Sequence, residues 1–369
     1  MSTFTFAVIA GGGTGGHVIP GLAIGRALVA RGHEPGSLHY VGSERGIEAR
    51  LVPEAGFGLT VLPGRGIQRR MTRENVGAAA GLSRAMGRAL SLLRSLRPQV
   101  VVSVGGYASV PCTVAATALR IPLVLHEQNA VPGAANRMAA PVAKACAVSY
   151  PGTRLPRAVV TGNPVRPEVA AVDRARDREG ARRALGLPAD GSVLGVFGGS
   201  LGALRLNRAV LDSLAAWRGR PDFAVHHVVG ERDWALASAE APADPGFAYR
   251  AVRYEDRMPL LLAAADLFVC RAGGNTVAEL ATVGVPAVLV PLPGAPGDHQ
   301  TANARVLADA GAAELVPDGR LDGARLVAEV DRLLGDGDRL SRMGRAAAAL
   351  ARPNAADDIA ALVEQYARA

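Results

Sequence analysis

Two glycine-rich turns, Gly11-Gly12-Gly13-Thr14-Gly15-Gly16 and Gly198-Gly199-Ser200-Leu201-Gly202, stand roughly a domain length apart in the chain. Each follows a short apolar run, Phe4–Ala10 for the first and Val193–Phe197 for the second. Glycine lets the backbone bend sharply and approach a ligand, and a helix opening behind such a turn offers unbonded N–H groups to an anion. The chemistry in view is the holding of phosphate or diphosphate. His17 comes directly after the first turn, at the start of a helix. A helix N-terminus disfavours a nearby cation, so this imidazole is expected neutral and suited to general-base work. A capping or packing histidine is the plainer alternative.

Further polar groups follow other apolar runs. Gly105-Gly106-Tyr107 and His126-Glu127-Gln128-Asn129 each follow an expected strand of the first half. In the second half, Arg271-Ala272-Gly273-Gly274-Asn275-Thr276-Val277-Ala278-Glu279 reads as a strand end, a glycine pair and a helix carrying an acid. Helix N–H groups there can hold a diphosphate, and Glu279 can accept two ribose hydroxyl hydrogens. An acid placed only to complement the helix dipole is the alternative. Asp298-His299-Gln300 follows the run Pro286–Val290, and the Gln300 amide suits sugar hydroxyls. Asp336-Gly337-Asp338 has the look of a metal-binding pair but falls between two helices and reads as a solvent turn. The first glycine turn also fits a dinucleotide fingerprint, which wants an acid at the end of the second strand. Glu44 is the nearest acid, with Ser43 between it and the expected strand end at Gly42.

Positioning these groups calls for alternating strands and helices. Strand-like runs are Phe4–Ala10, Leu38–Val41, Gln99–Val104, Pro122–His126, Ala158–Thr161, Val193–Phe197, Val225–Val229, Asp266–Cys270 and Pro286–Val290. Helical patterns include Gly21–Ala30, Arg84–Leu96, Leu204–Trp217 and Asn275–Val283. Short buried strands separated by helices imply parallel sheets covered on both faces, with the glycine turns at strand carboxyl ends. A chain of 369 residues with 49% hydrophobic content supports two such domains. Thr161-Gly162-Asn163-Pro164-Val165-Arg166-Pro167 reads as the boundary, and Arg352-Pro353-Asn354 breaks the chain before a last helix, about Ala355–Arg368. The expected division is 1–162, 163–352 and a terminal helix at 353–369.

Composition narrows the class. The three cysteines, Cys112, Cys146 and Cys270, show neither metal spacing nor a disulfide framework. No secretory leader is read at the start, and the uncharged stretches 1–25, 99–119 and 280–297 are broken by Gly or Pro. Net charge is +8, carried almost wholly by Arg, with Lys144 the one lysine. Between Arg65 and Arg97 stand eight Arg (65, 69, 70, 73, 84, 88, 94 and 97) against one acid, Glu74. Leu82, Met86, Leu90 and Leu93 recur among them at helical spacing. Two readings stay open: a basic amphipathic surface for anionic membrane, or a core stripe with solvated arginines. Nucleic acid is not expected as a partner, since no recognition motif is present and aromatics are 4%.

Taken in order, residues 11–23, Gly105–Tyr107, His126–Asn129, Gly162–Arg166, Gly198–Ala203, Thr276–Glu279 and Asp298–Gln300 resemble the bacterial peptidoglycan N-acetylglucosaminyltransferases that convert lipid I to lipid II. The resemblance covers essentially the whole chain. It implies an α/β GT-B fold of two Rossmann-like domains with parallel sheets facing across a cleft. The first would bind the lipid acceptor and the second UDP-GlcNAc, and the last helix would return to the first domain. It implies that Thr14, Gly15, Gly16, Asn129, Arg166, Ser200 and Gln300 bind the donor, with Glu279 on the ribose and the backbone near Glu255 on uracil. Tyr107 and Thr276 join the substrate-binding set. His17 is the implied catalytic histidine, and Glu127 remains a second candidate for the base. The segments Arg271–Asn275 and Val252–Met258 follow the family pattern loosely.

The expected reaction is an inverting glycosyl transfer without metal or other cofactor. UDP-GlcNAc and undecaprenyl-linked lipid I are the expected substrates. The expected location is peripheral, on the cytoplasmic face of the cell membrane, with an anionic membrane surface and cell-wall synthesis proteins as further partners. A UDP-GlcNAc epimerase of the same fold and an NAD-dependent dehydrogenase are the alternatives.

Overall fold

The chain is described from a computed structural model at residues 5–44, 46–63, 74–242 and 244–368, with backbone alone considered for 74–80. Arg65, Arg69, Arg70 and Arg73 lie outside the described residues. The strands are β1 (Ala7–Gly11), β2 (Leu38–Ser43), β3 (Gly58–Leu62), β4 (Val100–Gly105), β5 (Leu123–Glu127), β6 (Ala145–Val148), β7 (Ala158–Val160), β8 (Ser192–Phe197), β9 (Phe223–Val228), β10 (Ala248–Val252), β11 (Leu267–Cys270), β12 (Ala287–Leu289) and β13 (Ala313–Leu315). The helices are α1 (Gly15–Ala30), α2 (Glu48–Glu54), α3 (Glu74–Leu96), α4 (Ser109–Ala118), α5 (Ala134–Ala139), α6 (Pro167–Ala170), α7 (Arg174–Leu185), α8 (Leu204–Ser213), α9 (Trp234–Glu240), α10 (Met258–Ala264), α11 (Gly274–Val283), α12 (His299–Asp309), α13 (Gly323–Leu334), α14 (Gly337–Ala349) and α15 (Ala355–Tyr366).

Two compact units result, one of residues 1–166 with 352–369 and the other of 167–351. The first holds a parallel sheet in the order β3-β2-β1-β4-β5-β6-β7, the second one in the order β10-β9-β8-β11-β12-β13. In each sheet the strand order reverses beside its first strand, between β1 and β4 and between β8 and β11. Loops leaving the carboxyl ends of those neighbours diverge, which opens a crevice there. Both glycine turns follow these first strands.

In the first unit β4, β5 and β6 are buried along their whole length, which matches their Val, Leu and Ala content. On α3 the residues Ala85, Ala89 and Leu93 recur every fourth position and are buried, with Leu90 packed against the same core. Arg84, Arg88 and Arg94 point to solvent. The core reading therefore holds for Leu90 and Leu93, while Leu82 and Met86 are half-buried. The terminal helix α15 lies on α1 and places Ile359, Ala360 and Val363 in the core around β1 and β4. Arg31 adds ion pairs to Asp357 and Glu364, both at 2.8 Å. Such pairs at the surface are screened by solvent and cost side-chain entropy, so apolar burial fixes this helix.

Four strands escaped the sequence reading: β3, β6, β10 and β13. β3, β10 and β13 lie at sheet edges, where half-exposed residues blur the apolar run. α1 begins at Gly15, six residues before the expected start, and carries Pro20 within it. Asp336 caps α14 by accepting from the Arg339 N–H at 2.8 Å, in keeping with a solvent turn. Among the described residues no helix is long and apolar enough to cross a membrane.

Candidate active site

In the first unit the turns after β1 and β4 press together. A side chain on Gly106, at φ +84°, would overlap the Gly12 carbonyl oxygen, so the close approach requires glycine. His17 is the third residue of α1 and lies over the Gly105 backbone. A Cβ there would stand 2.9 Å from its Cδ2 and 3.1 Å from its Nε2. The His17 Nδ1 lies 3.4 Å from the Thr14 hydroxyl. His17 is half-buried, Gly16 and Thr14 are exposed, and Gly15 is partly so.

Glu127 ends β5 and is 1% exposed. Its Oε1 accepts from the Asn129 N–H (3.0 Å) and the Asn129 amide (3.1 Å). Its Oε2 accepts from the Gly133 N–H and the Asn136 amide, both at 2.9 Å. A carboxylate offers about four lone-pair sites, and four N–H groups occupy them. The geometry makes Glu127 an organiser of the 128–136 loop and of Asn129, with no lone pair turned to an incoming hydroxyl. Beside it His126 is wholly buried, its Nε2 3.0 Å from Asn163 Oδ1, and burial holds its pKa below the usual histidine value. The Tyr107 hydroxyl donates to the Pro63 carbonyl at 3.2 Å. Arg166 is half-buried at the end of the unit.

A residue the sequence reading passed over completes this unit. Glu48, at the start of α2, is 1% exposed. Its carboxylate accepts from the Ser43 N–H (2.7 Å), the Ser43 hydroxyl (2.8 Å) and the Gly13 N–H (3.0 and 3.1 Å to the two oxygens). Glu44, the acid considered for a dinucleotide, is exposed. The signal in the sequence was Gly42 and Gly46 bracketing the segment ahead of Glu48: a side chain on either, or on Gly12, would overlap the Glu48 side chain. Glu48 and His17 both line one void of about 10 Å³.

In the second unit Gly199 and Gly202 have φ of +100° and +92°. A Cβ on Gly202 would stand 2.7 Å from Asp233 Oδ2. Beneath this turn runs a buried polar chain. The Tyr249 hydroxyl lies 3.0 Å from His227 Nδ1, and His227 Nε2 lies 3.0 Å from Asn207 Oδ1. Asn207 Nδ2 donates to the Val229 carbonyl (3.0 Å) and to Asp233 Oδ2 (3.1 Å). One assignment satisfies every member: Tyr249 donates to Nδ1, and Nε2–H donates to Asn207. Burial pushes the His227 pKa down to about 3, so the ring is neutral. Ser200 is exposed at the tip of the turn.

α11 begins without a side-chain cap, at Gly273. Glu279 is its sixth residue, beyond the first turn, so a dipole-complementing role does not explain it. It is 9% exposed, and Thr276 is half-buried on the same helix. Gln300 Oε1 accepts from the Ala272 N–H (3.2 Å) and the Leu292 N–H (2.9 Å), which ties the loops after β11 and β12 together. Its carbonyl oxygen is thereby committed within the fold. Glu255 is 6% exposed, accepts from the Arg257 N–H at 3.0 Å and lies 3.0 Å from His226 Nε2. A ligand contact at 255 would have to run through the backbone.

Comparison with known proteins gives a consistent picture. Residues 7–148 match the glycosyltransferase family 28 N-terminal domain and residues 193–359 its C-terminal domain. A UDP-N-acetylglucosamine–N-acetylmuramyl-(pentapeptide) pyrophosphoryl-undecaprenol N-acetylglucosamine transferase of Desulforudis audaxviator is 40% identical over 374 residues, with 98% of each chain covered. A protein of the same name from Nocardioides sp. is 43% identical over 357 residues, 96% of each chain. Among solved structures, Acinetobacter baumannii MurG superposes with TM-score 0.76 at 29% identity, covering 98% of this chain and 99% of that one. A UDP-bound S. aureus MnaA shares the fold, with TM-score 0.69 at 11% identity over 98% of this chain and 96% of that one.

Proposed function

The chain belongs to glycosyltransferase family 28, with full-length kinship to its pyrophosphoryl-undecaprenol N-acetylglucosamine transferases, and from this we propose the reaction and the part each residue takes. The enzyme moves GlcNAc from UDP-GlcNAc to the muramyl 4-hydroxyl of lipid I, forming lipid II for peptidoglycan. The full-length kinship is the observation that carries this reading. The epimerase and dehydrogenase alternatives are not favoured by it.

In the proposed step the muramyl O4 attacks the anomeric carbon while the bond from that carbon to the diphosphate oxygen breaks. Configuration inverts, UDP leaves with the electron pair, and the hydroxyl proton passes to His17. Support for His17 over Glu127 is steric and electronic: the Glu127 oxygens already hold four N–H donors. The first unit would supply the acceptor site, with Tyr107 and the Asn129 loop. The second would hold UDP-GlcNAc, with Ser200 and the uncapped start of α11 at the diphosphate, Thr276 beside it, Glu279 on the ribose and the residue 255 backbone on uracil. Thr14, Gly15, Gly16, Asn129 and Gln300 are further proposed donor contacts. A positioned base supplies ~10²–10⁴-fold. Helix N-termini contribute about 0.3–1 kcal/mol each, up to ~2 when partly buried. Arg166 is therefore proposed to add a charge-assisted bond to the departing diphosphate.

A peripheral place on the cytoplasmic face of the membrane is also proposed. Met138, Val142 and Val114 are 66%, 48% and 42% exposed on and beside α5 and α4. Arg84, Arg88, Arg137 and Lys144 are exposed in the same unit. Apolar side chains with basic neighbours suit an anionic lipid surface. Cell-wall synthesis proteins at that surface are proposed as further partners.

The test is incubation with UDP-GlcNAc and a lipid I analogue, with and without EDTA. Disaccharide-linked product in both arms is expected. Turnover of UDP-GlcNAc with no acceptor consumed would reject the transfer, and loss of product on chelation would reject the metal-free step.

A further inference from the structure

We propose that Glu48 is a positioning residue that fills the anion cradle of the first glycine turn from within the chain, and so sets the course of Gly13 to His17. The turn has the residues of a phosphate loop, yet the Gly13 N–H is already taken by a carboxylate. Three glycines from three segments make room for it. Gly12 follows β1, Gly42 belongs to β2, Gly46 precedes α2, and a side chain on any of them would overlap the Glu48 carboxyl arm. Ser43 supplies an N–H and a hydroxyl to the same carboxylate. The carboxylate is 1% exposed, so it is a fixed internal anion. Four residues beyond Gly13 stands His17, which shares the wall of the 10 Å³ void with Glu48. Gly12 of this turn thus serves closeness to Glu48, and the Gly13 N–H is not offered to a substrate phosphate.

The test separates this role from simple structure. Glu48→Ala removes a CH₂–COO⁻ group that acetate replaces atom for atom. Acetate is expected to raise the variant's Tm to a plateau and to leave the wild type unmoved. It is also expected to restore transferase kcat in the variant in the same concentration range. Glu48→Gln is the second variant, for the case in which Glu48→Ala does not fold. An amide can keep its oxygen on Ser43 and within reach of the Gly13 N–H, but it loses the charge and sets an NH₂ where that N–H now meets the second oxygen. A kcat at least about tenfold lower is expected at a temperature well below its Tm, which itself falls by the modest amount that one weakened bond to a charged group costs. Glu48→Gln with wild-type kcat, or a folded Glu48→Ala indifferent to acetate in both Tm and rate, would overturn the proposal. The kcat arms rest on the transferase reading and the Tm arm does not. Acetate stabilisation of Glu48→Ala, with no disaccharide from the wild type, would reject the reaction and leave the cradle standing.

Discussion

Gly106 lies so close to Gly12 that a methyl group on the former would overlap the carbonyl oxygen of the latter. The contact joins the ends of β1 and β4, where the sheet order reverses. Gly106→Ala must therefore push the two turns apart, and its φ of +84° adds strain. A fall in Tm and loss of transfer are expected together. Gly87→Ala is the control: this glycine is exposed on α3 with nothing near it, and alanine there should add about 0.5–1 kcal/mol in urea unfolding. Equal stability of the two variants would refute the close-packing argument.

His17 and Glu127 should separate by pH profile. His17→Ala is expected to lower kcat about 10²–10⁴-fold and to abolish the acid limb of the rate profile. Glu127→Gln should instead keep that limb and lower Tm, because an NH₂ would face one of the pairs of N–H donors now bonded to the carboxylate. An acid limb that survives in His17→Ala and vanishes in Glu127→Gln would reverse the assignment.

Glu279→Gln tests the ribose contact. A bond to a charged group is worth about 1.5–3 kcal/mol, so UDP affinity should fall roughly ten- to hundredfold. Titration calorimetry with UDP reads this directly, and unchanged affinity would remove Glu279 from the donor site.

Buried histidines give a pH signature in stability. The His227 pKa is about 3 in the folded chain and near 6.5 when unfolded. Between these values the unfolded chain binds a proton that the folded one refuses. The contribution is complete above about pH 6.5 and is lost as pH falls toward 3, at up to ~1.4 kcal/mol per unit. His126 and His226 are shifted the same way by burial, with Glu255 opposing the shift at His226. Urea unfolding at about pH 7.5 and about pH 5 should show the loss, with a shallower slope in His227→Gln. A slope unchanged by that substitution would contradict a neutral, buried His227.

Much of the fold was legible in linear order. Near-continuous apolar runs such as Gln99–Val104, polar only at Gln99 and Ser103, and Val193–Phe197 announce strands buried on both faces, since strands with one wet face alternate instead. The glycine turns were legible too, because glycine is the residue that survives where backbones touch. Edge strands β10 and β13 were not, because half-exposed residues carry no such run.

The sequence by itself determined the α/β class and the two glycine turns behind first strands, and it named His17, Glu279 and Gln300 as candidates. Only the tertiary structure decided which groups are already spent. Glu127 looked like a base until four donors from residues 129, 133 and 136 closed around it. The Gly13 N–H of the first glycine turn looked open to a phosphate until Glu48, 35 residues on, was found bonded to it. Hydrogen-bond capacity is consumed by partners distant in the chain, and residue type alone does not record whether a lone pair or an N–H is still on offer.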